Sequence, residues 1–306
     1  MASLKNIKLK ILSYKKTGTV THAMEAVSAV KMRKGQERAL SGRAYAAAAL
    51  TVLERLSGTA DIARHPLMQE KEGLPLIIVV TSDKGLAGAL NSGVIRATEK
   101  KLAELKLAHA TGVIVAIGRR GADYFAARGY DVLIRKENVS DAISESDISE
   151  ITNEIIERHE SNYIASVYVA YQNFISTFEQ HPTVRQIVPI KPETMKETIA
   201  GIRPARGKYA PQPENEKPES PAAYTIEPDA DAVLSVLLPK LLNIAVFHAL
   251  LEAKASEHSA RMVAMKSATD KAKEMAGNLT RKFNKVRQAA ITREVSEITS
   301  GIEAMK

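Results

Sequence analysis

Apolar residues recur at alternating steps of four and three along the last part of the chain. Met262, Met265, Thr269, Ala272, Ala276, Leu279, Phe283, Val286 and Ala290 keep that rhythm without a slip. A mean step of about 3.5 residues is the period of a helix that supercoils around a partner, not of a broad globular face. A helix from Lys240 to the end would be about 100 Å long at ~1.5 Å per residue, longer than a domain of this size can cover. Most of it must therefore meet another helix or another protein.

Residues 3–57 carry a second helical pattern. Leu4, Ile7, Ile11 and Tyr14 open a seam, which Met24, Val27 and Val30 are expected to continue after a phase shift near residues 17–18. Farther on, Ala39, Ala46, Ala49, Leu53 and Leu56 keep it apolar but small. Gly18, Gly35 and Gly42 each weaken a helix by about 1 kcal/mol relative to Ala. Facing an Ala-rich seam, they would also let two helices approach closely. The pattern predicts an antiparallel coiled coil of the two ends, with the C-terminal helix the longer.

Between the ends the pattern becomes α/β. LPLIIVVTSD (74–83), GVIVAIGRRG (112–121), DVLIR (131–135), SVYVAYQNF (166–174) and RQIVPI (185–190) read as strands. Residues 94–107, 121–128 and 147–159 read as helices, and such alternation implies a largely parallel, layered sheet. Residues 203–221 are too polar and proline-rich for a packed element. Pro239 either opens the long helix near its first turn or kinks it. The expected fold is thus α/β, a long antiparallel coiled coil of N- and C-terminal helices flanking a central Rossmann-like α/β domain. Its parts are an N-terminal helix (1–57), the α/β domain (74–190), a proline-rich linker (191–228) and a C-terminal helix (229–306).

Composition narrows the chemistry. With 45% hydrophobic residues in 306, the chain can bury a sizeable core, and 5% aromatics with no Trp suits helix packing better than a sandwich. The absence of cysteine excludes disulfides, thiolate metal sites and cysteine nucleophiles. No uninterrupted apolar stretch reaches membrane-spanning length, because residues 232–253 are broken by Pro239, Lys240, Asn243 and His248. The first 24 residues hold lysines and no acids, yet lack the arginines of a transit peptide, so they read as mature protein. Net charge is +8, and it is concentrated. Residues 1–43 carry ten Lys and Arg against Glu25 and Glu37; residues 254–293 carry ten against Glu257, Asp270 and Glu274. Both ends are basic rods, which seek an acidic surface or a polyanion.

Few motifs point to catalysis. SDKGLAGALN (82–91) lies between a strand and a helix, where phosphate loops occur. Its Gly85-x-x-Gly88 spacing matches neither GxGxxG nor GxxxxGK[ST], which favours a tight turn over a nucleotide site. The seven histidines form no HxxxH or HxxH pair, and no GxSxG elbow occurs. KMRKGQER (31–38) and RKFNKVR (281–287) are basic, but the interleaved aromatics of a single-strand-binding surface are missing.

Four stretches together resemble the γ subunit of F-type ATP synthases: VTHAMEAVSAVKMRKGQ (20–36), SDKGLAGALN (82–91), SEHSARMVAMKSATDKA (256–272) and NKVRQAAITREVSEITSG (284–301). His22, Ala26 and Lys271 depart from the family pattern. The resemblance implies a non-catalytic rotor shaft seated in a hexamer of α and β subunits, which bind ATP and Mg²⁺. The shaft itself has no cofactor, and nucleic acid is not a partner. Its foot would stand on the membrane ring of c subunits beside the ε subunit. The place would be the cytoplasmic face of a bacterial membrane, or the matrix face of the inner mitochondrial membrane. By the same resemblance, Arg287 and Gln288 match a pair that hydrogen-bonds an acidic loop of β. Ile291, Thr292, Glu294 and Glu297 carry the terminal signature near the upper bearing. Met24, Lys31, Arg33 and Lys34 fall where the N-terminal helix passes an acidic lever loop. Tyr224 and Glu227 resemble a foot segment near the c-ring loops.

Overall fold

The run 74–80 has no charged or polar side chain, and it becomes the innermost strand of a five-stranded sheet. In the computed structural model, residues 4–41, 48–49, 51–53, 56, 64–105, 112–191 and 229–305 are described. The elements are α1 (Leu4–Ser41), β1 (Leu74–Val80), α2 (Leu90–Glu104), β2 (Val113–Ile117), α3 (Arg119–Ala126), β3 (Asp131–Lys136), α4 (Glu145–Glu160), β4 (Ile164–Phe174), β5 (Gln180–Val188) and α5 (Ala230–Ala304). Contacts divide the chain into two compact units, Met1–Ser28 with Arg261–Lys306, and Ala29–Ala260.

In the second unit the sheet order is β3-β2-β1-β4-β5. The first four strands are parallel and β5 runs antiparallel to β4. Successive residues of a strand face opposite sides, and the apolar runs therefore feed two cores. Leu76, Ile78, Val80, Val115 and Val169 face one side, where α4 and the first part of α5 pack. Ile77, Val79, Ile114, Ala116 and Ala170 face the other, with residues of α2 and α3. Such double-sided burial is what makes strands of a parallel sheet continuously apolar. Between β2 and α3 the chain turns at Gly118, whose φ is +99°. A Cβ there would lie 2.0 Å from the Thr81 carbonyl oxygen, so no other residue fits.

Helix α5 begins where Asp229 caps it, the carboxylate accepting from Ala232 N at 2.7 Å. Pro239 falls inside the helix, not in its first turn. By length and composition alone one window of α5 is apolar enough to cross a membrane, a correction to the reading that its polar interruptions exclude this. Here Leu234, Leu238, Leu241, Leu242, Val246, Ala249 and Leu250 are buried on the sheet. Residues 48–49, 51–53 and 56 are helical, and Ala49, Leu53 and Leu56 join that core. Ala46 and the proline-rich stretch 203–221 lie outside the described residues.

In the first unit α1 and α5 pair antiparallel. Thr21 Oγ1 and Thr269 Oγ1 are 2.7 Å apart. Three residues earlier on α1, Gly18 would place a Cβ 3.6 Å from that of Ala272, three residues later on α5. Met265, Thr269, Ala272 and Ala276 are buried, and Leu279, Phe283, Val286 and Ala290 are half-buried among exposed neighbours. That is the heptad seam expected. The α1 side requires a correction: its seam runs through Ile7, Gly18, Thr21 and Ser28 with no phase shift, while Val27 and Val30 are exposed. The hydroxyls are tolerated because each donates to a carbonyl of the preceding turn, Thr21 to Thr17 at 3.0 Å and Ser28 to Met24 at 2.7 Å.

Candidate partner-binding surfaces

The seam of α5 stops after Ala290. Its next positions would be Arg293 and Glu297, which instead bond to each other at 2.8 Å. Leu4 lies fourteen residues before Gly18, and so level with a point fourteen after Ala272, near Val286. Beyond that point α5 runs past the described start of α1. There a new apolar stripe appears, rotated by one residue: Ile291, Val295, Ile298, Ile302 and Met305, at steps of four and three. All are exposed, from 51% at Ile291 to 83% at Met305. A contiguous exposed stripe of large aliphatic residues is unfavourable in water, and it marks a surface that another molecule covers. Val295, Ile298, Ile302 and Met305 escape a reading that follows the seam alone. Their signal is the same four–three step taken one residue later.

Arg287 and Gln288 stand exposed about one turn before this stripe. The Gln288 backbone carbonyl accepts the Thr292 hydroxyl at 3.0 Å. Glu294 is exposed, and Glu297 is held by Arg293. The structure therefore gathers Arg287, Gln288, Ile291, Thr292, Glu294 and Glu297 on one helical end. A guanidinium here is suited to bidentate capture of a carboxylate.

The other candidates lie elsewhere on α1. Met24 is half-buried in the first unit. In the second, Arg33 and Lys34 are exposed, whereas Lys31 donates to Asp141 at 2.8 Å. Tyr224 and Glu227 lie outside the described residues.

The turn 82–91 is closed by its own side chains. Asn91 Oδ1 accepts from Ser82 N at 2.9 Å, Asn91 Nδ2 donates to Ser82 Oγ at 2.7 Å, and that hydroxyl reaches Lys84 O at 2.6 Å. Leu86 and Gly88 both adopt positive φ here. A shallow cleft beside it is lined by Gly85, Gly88, Arg96, Arg120 and Tyr124. The glycines thus serve a tight strand-to-helix turn. Among the described residues, no group of three or more His, Asp and Glu side chains could hold a metal ion.

A mainly parallel sheet layered between helices, and two chain ends paired as an antiparallel coil, define an α/β protein with a coiled-coil unit. The family model described as ATP synthase matches residues 3–305. An ATP synthase gamma chain of Pelotomaculum thermopropionicum is 36% identical over the whole of both chains. One from Geotalea uraniireducens is 37% identical, again over the whole of both. Among solved structures, a chain of the Euglena gracilis mitochondrial ATP synthase aligns with 99% of this chain and 94% of its own. Its TM-score is 0.61 at 17% identity. A central-stalk chain of the Tetrahymena thermophila enzyme gives 0.58 at 21%, covering 81% of this chain and 99% of that one. The chain belongs to the ATP synthase γ-chain family.

Proposed function

We propose that this chain is the central rotor shaft of an F-type ATP synthase. It turns with a ring of c subunits, and its angle sets the conformation of the catalytic β subunits. Run in reverse, ATP hydrolysis turns the shaft and pumps ions. The observation that carries this reading is kinship with γ chains over the entire length at 36–37% identity. The bare end of α5 gives the reading a place of contact. Its exposed stripe suits an apolar bearing, and Arg287 suits an acidic loop beside it.

On this reading the chain is a non-catalytic subunit. ATP and Mg²⁺ are bound by the α and β subunits, and the shaft carries no cofactor. The ε subunit and the c ring hold its other end, peripheral to the cytoplasmic face of a bacterial membrane. A shaft can do such work because a ligand shifts a conformational equilibrium only by its differential affinity for the states. An asymmetric coil presents a different surface to each β subunit, so each rotation angle favours a different state.

The test is recovery of the tagged chain from native membranes. Co-purification with α, β, ε and c subunits is expected. A chain recovered alone that binds ATP by itself would overturn the reading, and so would one recovered on nucleic acid in a steeply salt-dependent manner.

A further inference from the structure

Loop 137–144 joins β3 to α4 in the second unit, and two helices grip it at once. Asp141 Oδ2 accepts from Lys31 Nζ of α1 at 2.8 Å, and Oδ1 accepts from His258 Nε2 of α5 at 2.9 Å. The Asp141 carbonyl accepts from the Arg38 guanidinium of α1. The Val139 carbonyl accepts from Lys254 Nζ of α5 at 2.8 Å. Four donors on two helices therefore converge on two loop residues, Val139 and Asp141. Nearby the helices come close, since a Cβ added at Gly35 would lie 3.5 Å from Ala255 Cα.

The loop is braced. Ala142 N donates to Ser140 Oγ at 3.0 Å, and Ile143, whose side chain is buried, donates from its N–H to Ser140 O at 3.2 Å. One end runs directly into β3. The other starts α4, where the Asp147 carboxylate accepts from Ser144 N at 2.9 Å. Partial burial works to raise the Asp141 carboxyl, but hydrogen bonds from Lys31 and His258 outweigh it and bring it to about 2. The group is an anion at any physiological pH.

Apolar packing is non-directional. It keeps α5 on the sheet and, being close-packed, carries most of the load. Hydrogen bonds have preferred angles, so the directional contacts sharpen the angle at which the packed helices are held. We propose that Asp141 is the drive pin of this chain, a positioning residue that ties α1 and α5 to the α/β body so that a twist on the body passes to both helices. The inference rests on the shaft reading above.

The native chain has no cysteine, so one introduced as Glu150→Cys on α4 labels the body at a single position of this chain, in a synthase whose other subunits have had their accessible cysteines replaced. With the complete synthase held by its catalytic hexamer, a probe on that cysteine reports angular variance during pauses. Asp141→Ala, Asp141→Asn and Lys254→Met are compared with the parent. Because α5 also bonds the body through Asn243, Ser256 and Ser259, removing one or two of the loop contacts is expected to raise the joint's share of the variance by roughly a third. Native variance in variants that assemble would overturn the pin and leave the shaft reading standing. Failure of the parent chain to assemble with the hexamer would sink the shaft reading itself. Should Asp141→Ala not assemble, Asp141→Asn and Lys254→Met decide, because Asn retains an accepting oxygen and Lys254 contacts the loop apart from the carboxylate.

Discussion

Glu252 is an acid that the fold keeps neutral. It is buried on α5, with His248 Nδ1 3.5 Å from Oε1 and no partner for Oε2 among the described residues. Desolvation pushes its carboxyl up to about 8 against the pull of Arg185, Tyr171 and the Phe174 backbone. Desolvation likewise pulls His248 down to about 4. The two are therefore a neutral pair, not a salt bridge, at physiological pH. The folded state holds the Glu252 proton while the unfolded chain releases it near 4.5, so stability falls as pH rises from 4.5 to 8. His248 gives the opposite slope between about 4 and 6.5, since only the unfolded chain takes up that proton. Above pH 6.5 the Glu252 slope stands alone. Glu252→Gln should flatten the fall in denaturation midpoint between pH 6.5 and 8, and an unchanged profile would contradict the burial argument. A second residue-scale prediction concerns Gly118. Its positive φ and the Thr81 carbonyl oxygen leave no room for a methyl group. Gly118→Ala should cost about 3 kcal/mol or more, read as a lowered denaturant midpoint. Neither position was legible in the sequence. Glu252 sits in a part of α5 buried on nearly every face, where charged and polar residues alternate with apolar ones, and its neutrality depends on the sheet folding over it.

At the scale of elements, what the sequence revealed was periodicity, and what it hid was register and small residues. The α5 seam was readable to the residue because its partner demands strict four–three spacing. Strands β1 and β2 were readable because double-sided burial makes them apolar throughout, and β3 and β4 because each has an apolar middle. The α1 seam was not, since hydrophobicity points to Val27 and Val30 whereas contact falls on Gly18, Thr21 and Ser28. Two helices can come close only where side chains are small, so proximity selects residues that a hydropathy pattern passes over. Strand β5 begins at Gln180, five residues before the readable RQIVPI run, because antiparallel pairing with β4 recruits the polar residues His181 and Thr183. The Thr21–Thr269 contact offers a test of the coil. Each hydroxyl also has a carbonyl of its own helix, Thr17 for one and Met265 for the other. Thr269→Val should therefore remove one mutual bond, about 0.5–1.5 kcal/mol of stability. The double variant Thr21→Val with Thr269→Val should cost less than the sum of the singles, because no hydroxyl is then left facing a methyl group. Strict additivity in a double-mutant cycle would show that the two residues do not meet.

For the whole molecule the question is how a γ chain, read as a shaft, could govern a reaction that its partner subunits carry. Residues 1–43 carry a net +8 and residues 254–293 a net +7, so the rest of the chain is mildly acidic and the basic charge lies along α1 and α5. Charge of one sign steers such a rod toward acidic surfaces. Yet exposed ion pairs contribute only about 0.2–1 kcal/mol each, far too little for one of them to carry the work of ATP synthesis. The load must pass through the covalent continuity of α5 and the packing that surrounds it, with charges selecting the angles at which rotation pauses. Arg287 separates these roles. It is exposed, lies just beyond the paired part of the coil, and has no carboxylate partner among the described residues. If it contributes to pausing and not to the transmission of force, Arg287→Ala should lower turnover severalfold, roughly the effect of losing about 1 kcal/mol of preferential contact. ATP-driven rotation should persist in the assembled complex. Single-molecule rotation of the variant, with assembly checked by subunit stoichiometry, distinguishes the cases. Slower stepping with rotation retained places this residue among the charges that set dwell angles. Complete arrest with every subunit present would mean that one side chain at the tip bears the torque, and stiffness of the coil would then no longer explain coupling.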